Sequence, residues 1–106
     1  MHQMPFEDNS FDALYSCHNL EHAYDLERAV SEFLRVVRPG GWLMVEVPVR
    51  FEPTATDLQD VGSKQGLIDC FAPSIAEVLV SEESERQVRG MTKANARLLA
   101  RLRAEA

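Results

Sequence analysis

The residues that could do chemistry gather early. Cys17-His18-Asn19-Leu20-Glu21-His22 puts a thiol, two imidazoles and a carboxylate into one short stretch. The spacing His18-x-x-Glu21-His22 is that of a helix-borne zinc centre, in which two histidines hold the ion and the glutamate acts as general base toward a metal-bound water. Such a centre needs both imidazoles on one helical face and a third ligand from elsewhere, for which Glu82, Glu83 and Glu85 are available. The flanking elements point another way. Glu7-Asp8-Asn9-Ser10 is a turn cluster, and the apolar and aromatic run "FDALYSC" after it reads as a strand over about 12–17. The next helix starts only at Asp25, a fitting N-cap, with Glu27 at the positive end of the dipole. His18 therefore falls in a loop and no metal ligand set is assigned. Glu21 and His22, just ahead of the cap, read as structural groups that hydrogen-bond loop backbone or orphan N–H groups.

The elements that must position this loop follow from periodicity. Leu26, Ala29, Val30, Phe33, Leu34 and Val37 recur at helical spacing and predict an amphipathic helix over about 26–38. Pro39, Gly40 and Gly41 end it and turn the chain into the next strand, a structural role. "WLMVEVP" is apolar except for Glu46, as a strand covered on both faces would be. Strand, helix and strand at this spacing form a right-handed crossover between parallel strands. "VRFEPTATDLQDVG" reads as a loop, and "SKQGLIDCF" as a short helix capped by Ser63, weakened by Gly66 and stopped by Pro73. "IAEVLV" (75–80) predicts a third strand. Thr92 suits the cap of a last helix with Ala94, Leu98 and Leu102 on one stripe. The expected architecture is α/β with about three mainly parallel strands and crossover helices. A domain over 1–83 would be followed by a basic helical tail over 84–106.

Composition narrows the class. A chain of 106 residues with 45% apolar and 26% charged residues suits one folded domain and excludes disordered, collagen-like and disulfide-rich classes. Cys17 and Cys70 form no C-x-x-C pair, no apolar run has the length of a membrane span, and "MHQMPFEDNS" is no signal peptide. A cytoplasmic protein with reduced thiols is expected. The net charge of −6 is uneven, with 16 acids against 5 Lys/Arg over 1–85 and 1 acid against 6 Lys/Arg over 86–106. Without interleaved aromatics, those basic residues read as a solvated face complementing an acidic body rather than as a nucleic-acid contact.

"MPFEDNSFDALYS", "LEH" and "LERAVSEFLRVVRPGGWLMVEVP", in that order, resemble the second half of a class I S-adenosylmethionine-dependent methyltransferase, the type 11-like branch. The resemblance is close over about 2–48 and loose over "DVGSKQGLIDCFAPSIAEVLVSEE". It implies a partial Rossmann-like fold, S-adenosylmethionine as cofactor, and methyl transfer to a small-molecule or macromolecular acceptor. By matching position it implies that Met1 and His2 border the adenine, and that Ser16, Cys17 and His18 face the methionine end of the cofactor. His18 would be the candidate catalytic base. The pattern departs from the family in three respects, one being that the family's last antiparallel hairpin strand is not evident after Val80, where "SERQVRGMTK" lacks a strand pattern. The glycine-rich G-x-G-x-G loop is not among the five glycines Gly40, Gly41, Gly62, Gly66 and Gly90, and the acidic residue that binds the ribose hydroxyls has no counterpart.

From these departures we expect a truncated form, with the Gly-Asp pair of the family falling just before Met1. Such a chain would bind the cofactor weakly or not at all alone, and would show weak or no activity. Two other readings stay open: a non-enzymatic α/β module that self-associates or pairs with a separate N-terminal half, and a zinc peptidase built on His18, Glu21 and His22.

Overall fold

Asp25 starts the principal helix as its sequence requires: its backbone is extended and its carboxylate accepts a hydrogen bond from Arg28 N at 3.1 Å. The computed structural model describes residues 1–51 and 58–104. Their order is β1 (Phe11–Cys17), a 3-10 turn (Leu20–His22), α1 (Leu26–Val36), β2 (Val37–Val49), α2 (Lys64–Phe71), a second 3-10 turn (Ala72–Ser74), β3 (Ile75–Val88) and β4 (Met91–Leu102). The expected loop over 49–62 lies partly outside the described residues.

The four strands form one sheet in the order β1-β2-β4-β3. β1 and β2 are parallel, joined by the α1 crossover as expected, and β4 is antiparallel to both β2 and β3. Facing pairs Leu43–Ala100, Val45–Leu98, Val47–Ala96 and Val49–Ala94 put one apolar row of β2 against one of β4. All eight are buried. Together with Val30, Phe33 and Val36 of α1 and Leu67 and Phe71 of α2 they form the core, with the Phe33 and Phe71 rings stacked at 6.5 Å. The opposite face carries Tyr15, Trp42, Met44, Glu46, Pro48 and Leu99. There the Arg101 guanidinium sits 5.0 Å from the Trp42 ring centre.

Several expectations are corrected. The sheet has four strands, and two of its three pairings are antiparallel. The expected helix beyond Thr92 is strand β4, placed between β2 and β3. Ala94, Leu98 and Leu102 are every second member of a period-two row that also holds Ala96 and Ala100, all buried. Spacing by four suits either element, and the helix propensity of Ala, Leu and Arg concealed the alternation. β3 likewise runs past Val80 to Val88, and the antiparallel hairpin that no strand pattern announced is present. It closes through Arg89 (φ 52°) and Gly90 (φ 78°), the two left-handed residues of a type I′ turn.

Finally, α1 stops at Val36, two residues early, because Val37 enters β2 directly and is buried there. Pro39, Gly40 and Gly41 lie in an irregular opening of the β1–β2 ladder, where the register shifts between Phe11 and Ala13. A Cβ on Gly41 would come within 2.6 Å of Asp12 O and 2.9 Å of Arg38 O, so only glycine fits. No helix among the described residues is long and apolar enough to cross a membrane.

Candidate functional site

β1 and β2 run parallel, so their carboxyl ends lie together, with Ser16 beside Val45 and Cys17 beside Glu46. This is the edge at which open α/β sheets bind ligands. Because successive strand residues point to opposite faces, the grouped candidates Ser16, Cys17 and His18 divide. Ser16 belongs to the helix-covered face and Cys17 to the open one.

On the helix side a cavity of about 390 Å³ is lined by Met1, Met4, Phe6, Leu14, Tyr15, Ser16, Asn19 and Phe33. Met1 and Ser16 thus share a wall. Ser16 is 5% exposed and its Oγ has no hydrogen-bond partner among the described residues, an orphaned polar atom beside an apolar space. The N-terminal wall is held by a pair the sequence did not single out. Arg35 donates to Met4 O at 3.1 Å and Phe6 O at 2.7 Å and pairs with Asp8 and Glu32, while Met4 N donates to Glu32 at 2.9 Å. Both partners respond: Arg35 first holds the Glu32 carboxyl below its ordinary range, and Glu32 first pushes the guanidinium up. His2 lies apart from this cavity's lining. It stacks on Tyr24 at 3.7 Å, and its Nε2 accepts from Asp25 N at 3.2 Å, so it ties the N-terminal segment to the start of α1.

On the open face, Cys17 and His18 converge on Glu46. Cys17 Sγ is 3.3 Å and His18 Nε2 3.5 Å from the same oxygen, Glu46 Oε2. His18 gets there by leaving the strand in the left-handed conformation (φ 55°), while its N–H still donates to Glu46 O at 2.9 Å. Arg97, directly opposite Glu46 on β4, donates from Nε at 3.0 Å and Nη2 at 2.7 Å to the other oxygen, Oε1. Arg97 is the main cause that holds the Glu46 carboxyl below the ordinary range, against the opposing effect of partial burial. Tyr15 is pushed up, chiefly through its hydrogen bond with Cys17. His18 also borders a cleft of about 590 Å³ that includes Arg50, Arg86 and Lys93. It does not line the Ser16 cavity. The sequence did carry a signal for Glu46, the single charge in "WLMVEVP"; Arg97 and Arg35 had none beyond their place in an element.

The zinc-peptidase reading is overturned. Its pentapeptide is divided between left-handed His18 and the 3-10 turn Leu20–His22, not carried on a helix. Glu21 is 3% exposed, and its backbone carbonyl accepts from Leu58 N and Gln59 N at 2.8 and 2.9 Å, which anchors the loop. His22 lies 3.8 Å from the Glu21 carboxylate.

Residues 1–45 match the methyltransferase domain family. A sterol 24-C-methyltransferase of Gibberella zeae is 47% identical over 51 residues, which are 42% of this chain and 13% of that protein. A second, from Yarrowia lipolytica, is 40% identical over 62 residues, 53% of this chain and 16% of that one. Among solved structures, the 4+2 cyclase SpnF superposes with a TM-score of 0.74 at 23% identity, over 96% of this chain and 53% of its own. An S-adenosylmethionine-dependent methyltransferase of Methanosarcina mazei gives 0.71 at 16% identity, over 98% and 65%. The chain thus spans about half to two thirds of these folds and a small part of the sterol enzymes. Residues 1–45 are similar to the methyltransferase domain family, and the described chain has the fold of part of these solved structures.

Proposed function

We propose that this chain supplies one wall of an S-adenosylmethionine site in a methyl-transferring enzyme. The observation that carries the reading is the orphaned Ser16 Oγ in the cavity bordered by Met1, at the carboxyl end of β1 and inside the stretch that matches the methyltransferase domain. The fold alone would not support it, since one of the similar structures is a cyclase. A polar atom without a partner beside apolar walls fits a ligand that brings both an apolar surface and hydrogen-bonding groups, as the adenosyl part of this cofactor does.

When bound, S-adenosylmethionine supplies a sulfonium methyl group that an acceptor nucleophile can take. The residues here bind and orient it. Ser16 offers its hydroxyl, Met1, Met4, Phe6, Leu14 and Phe33 offer an apolar surface, and the Arg35–Glu32 pair holds the N-terminal wall in place. Alignment contributes most to such a transfer, so no proton-transfer step is assigned to His18, which faces the other side of the sheet.

The 106 residues hold no G-x-G-x-G loop, so the wall is expected to bind weakly by itself. Calorimetry with S-adenosylhomocysteine should give affinity weaker than micromolar for this chain, and tighter binding would refute a wall-only role. Amide shifts in millimolar S-adenosylhomocysteine should appear around Met1–Phe6 and Ser16; their absence there would refute the site.

A second reading, association through β1, is favoured by the contrast between the two sheet edges. β1 carries one charge, Asp12, with Phe11 39% and Tyr15 67% exposed, whereas the β3 edge holds Glu77, Glu82, Glu83, Glu85 and Arg86. Light scattering over a concentration series should find self-association; a monomer throughout would refute it.

A further inference from the structure

We propose that Cys17, His18 and Glu46 form a site for one divalent metal ion of the zinc class, with thiolate sulfur, imidazole nitrogen and a single carboxylate oxygen as protein ligands and a fourth position for water.

The geometry is assembled by the backbone. The parallel register sets Cys17 beside Glu46, and the left-handed turn at His18 returns its ring to the same carboxylate. One ligand atom from each of the three residues lies within 4.8 Å of the others. Two of the three separations, 3.3 Å from Glu46 Oε2 to Cys17 Sγ and 3.5 Å to His18 Nε2, are close to the edges of a tetrahedron around zinc. Bonds of about 2.3 Å to sulfur and about 2.0–2.2 Å to nitrogen and oxygen give edges of about 3.5–3.7 Å between sulfur and oxygen and about 3.3–3.5 Å between nitrogen and oxygen, so metal binding needs the thiolate to draw back by only a few tenths of an ångström. A non-glycine residue held at positive φ is also the kind of strained position that concentrates at ligand sites.

Arg97 completes the argument rather than blocking it. Both of its hydrogen bonds to Glu46 fall on Oε1, which leaves Oε2, the oxygen facing Cys17 and His18, outside its grip. A guanidinium on the far oxygen fixes the carboxylate's rotation, as outer hydrogen-bond partners of metal ligands do. Thiolate and carboxylate together balance the charge of a divalent ion, and neutral imidazole adds none. Binding breaks the Cys17 S–H bond, the electron pair goes to the metal and the proton to solvent. A site with three protein ligands keeps one coordination position open. Its ligands differ from the His18, Glu21 and His22 set that the pentapeptide suggests, and it stands independently of the cofactor reading.

Cobalt(II) is the probe, because a thiolate ligand gives it a near-ultraviolet charge-transfer band and tetrahedral geometry an intense visible spectrum. The chelator-treated full chain should bind one Co²⁺, displaced by Zn²⁺. Cys17→Ser should remove the charge-transfer band and Cys70→Ser should keep it. Loss of an outer partner already weakens a metal site by roughly 10–100-fold, so His18→Gln and Glu46→Gln should each weaken binding by more than about tenfold. His18 is 45% exposed at its side chain, so His18→Gln keeps the test valid if loss of the Arg97 partner unfolds Glu46→Gln. Absence of stoichiometric binding, a band that disappears in Cys70→Ser instead of Cys17→Ser, or unchanged affinity in folded His18→Gln would overturn the proposal.

Discussion

Arg97 Nη2 lies 2.7 Å from Glu46 Oε1, across a ladder in which the two residues are direct partners though 51 positions apart. Arg97 Nη1 also reaches Glu82 at 2.8 Å, so one guanidinium ties together all three antiparallel strands. The folded Glu46 carboxyl sits below its ordinary value of about 4.3, chiefly because of Arg97. A depressed carboxylate contributes its stability in full above the unfolded value and loses it as pH falls through the folded one. Arg97→Gln should therefore lower the urea midpoint at about pH 7, and the gap from the parent should narrow at about pH 3. A gap that stays constant or widens in acid would refute this assignment.

Leu98 tests the placement of β4. It is fully buried and faces Val45. Leu98→Ala should cost about 2–5 kcal/mol by chemical denaturation, the range for a leucine deleted from a core. A loosely docked tail would show almost no loss.

Two glycines should respond differently to alanine. Gly41→Ala drives a Cβ to 2.6 Å from Asp12 O, between backbone atoms that cannot swing away. It should destabilise by about 1–3 kcal/mol or more, as overpacked sites do. Gly90→Ala meets no atom within 4 Å and bears only the left-handed backbone penalty, about 1–2 kcal/mol. Denaturant midpoints of both variants should preserve that order.

Ser16→Ala should have opposite effects on stability and binding. Removing a buried hydroxyl that has no partner should stabilise the unliganded chain by about 1 kcal/mol. The same change should weaken the S-adenosylhomocysteine shifts at the cavity. A variant both less stable and unchanged in binding would show that Ser16 serves packing alone.

The Arg35 clamp predicts a local effect. Arg35→Ala should leave the β2–β4 core intact and speed hydrogen exchange at Met4, whose N–H is held by Glu32 and whose carbonyl is held by Arg35. Equal acceleration across β2 would mean the clamp supports the whole fold.

Local signals were enough for β1, α1 and β2. A turn cluster, the Asp25 cap, apolar spacing and an uninterrupted apolar run all act within a few residues of the atoms they organise, and the crossover between parallel strands follows from their order. The same locality misled at β4. Ala94, Leu98 and Leu102 suit a helix when read alone, and strand conformation won because β2 and β3 each supply a full ladder of backbone partners and β2 an apolar row to cover. No nearby residue announces those partners. Likewise, Ser16, Cys17 and His18 are adjacent in the chain, yet the pleat sends Ser16 toward α1 and Cys17 toward Glu46, and a left-handed turn brings His18 after it. Residue types in "CHNLEH" established that metal or acid–base chemistry was chemically available. The pairing of strands distant in sequence decided which carboxylate joined them, because strand register, unlike helical period, is set by residues far along the chain.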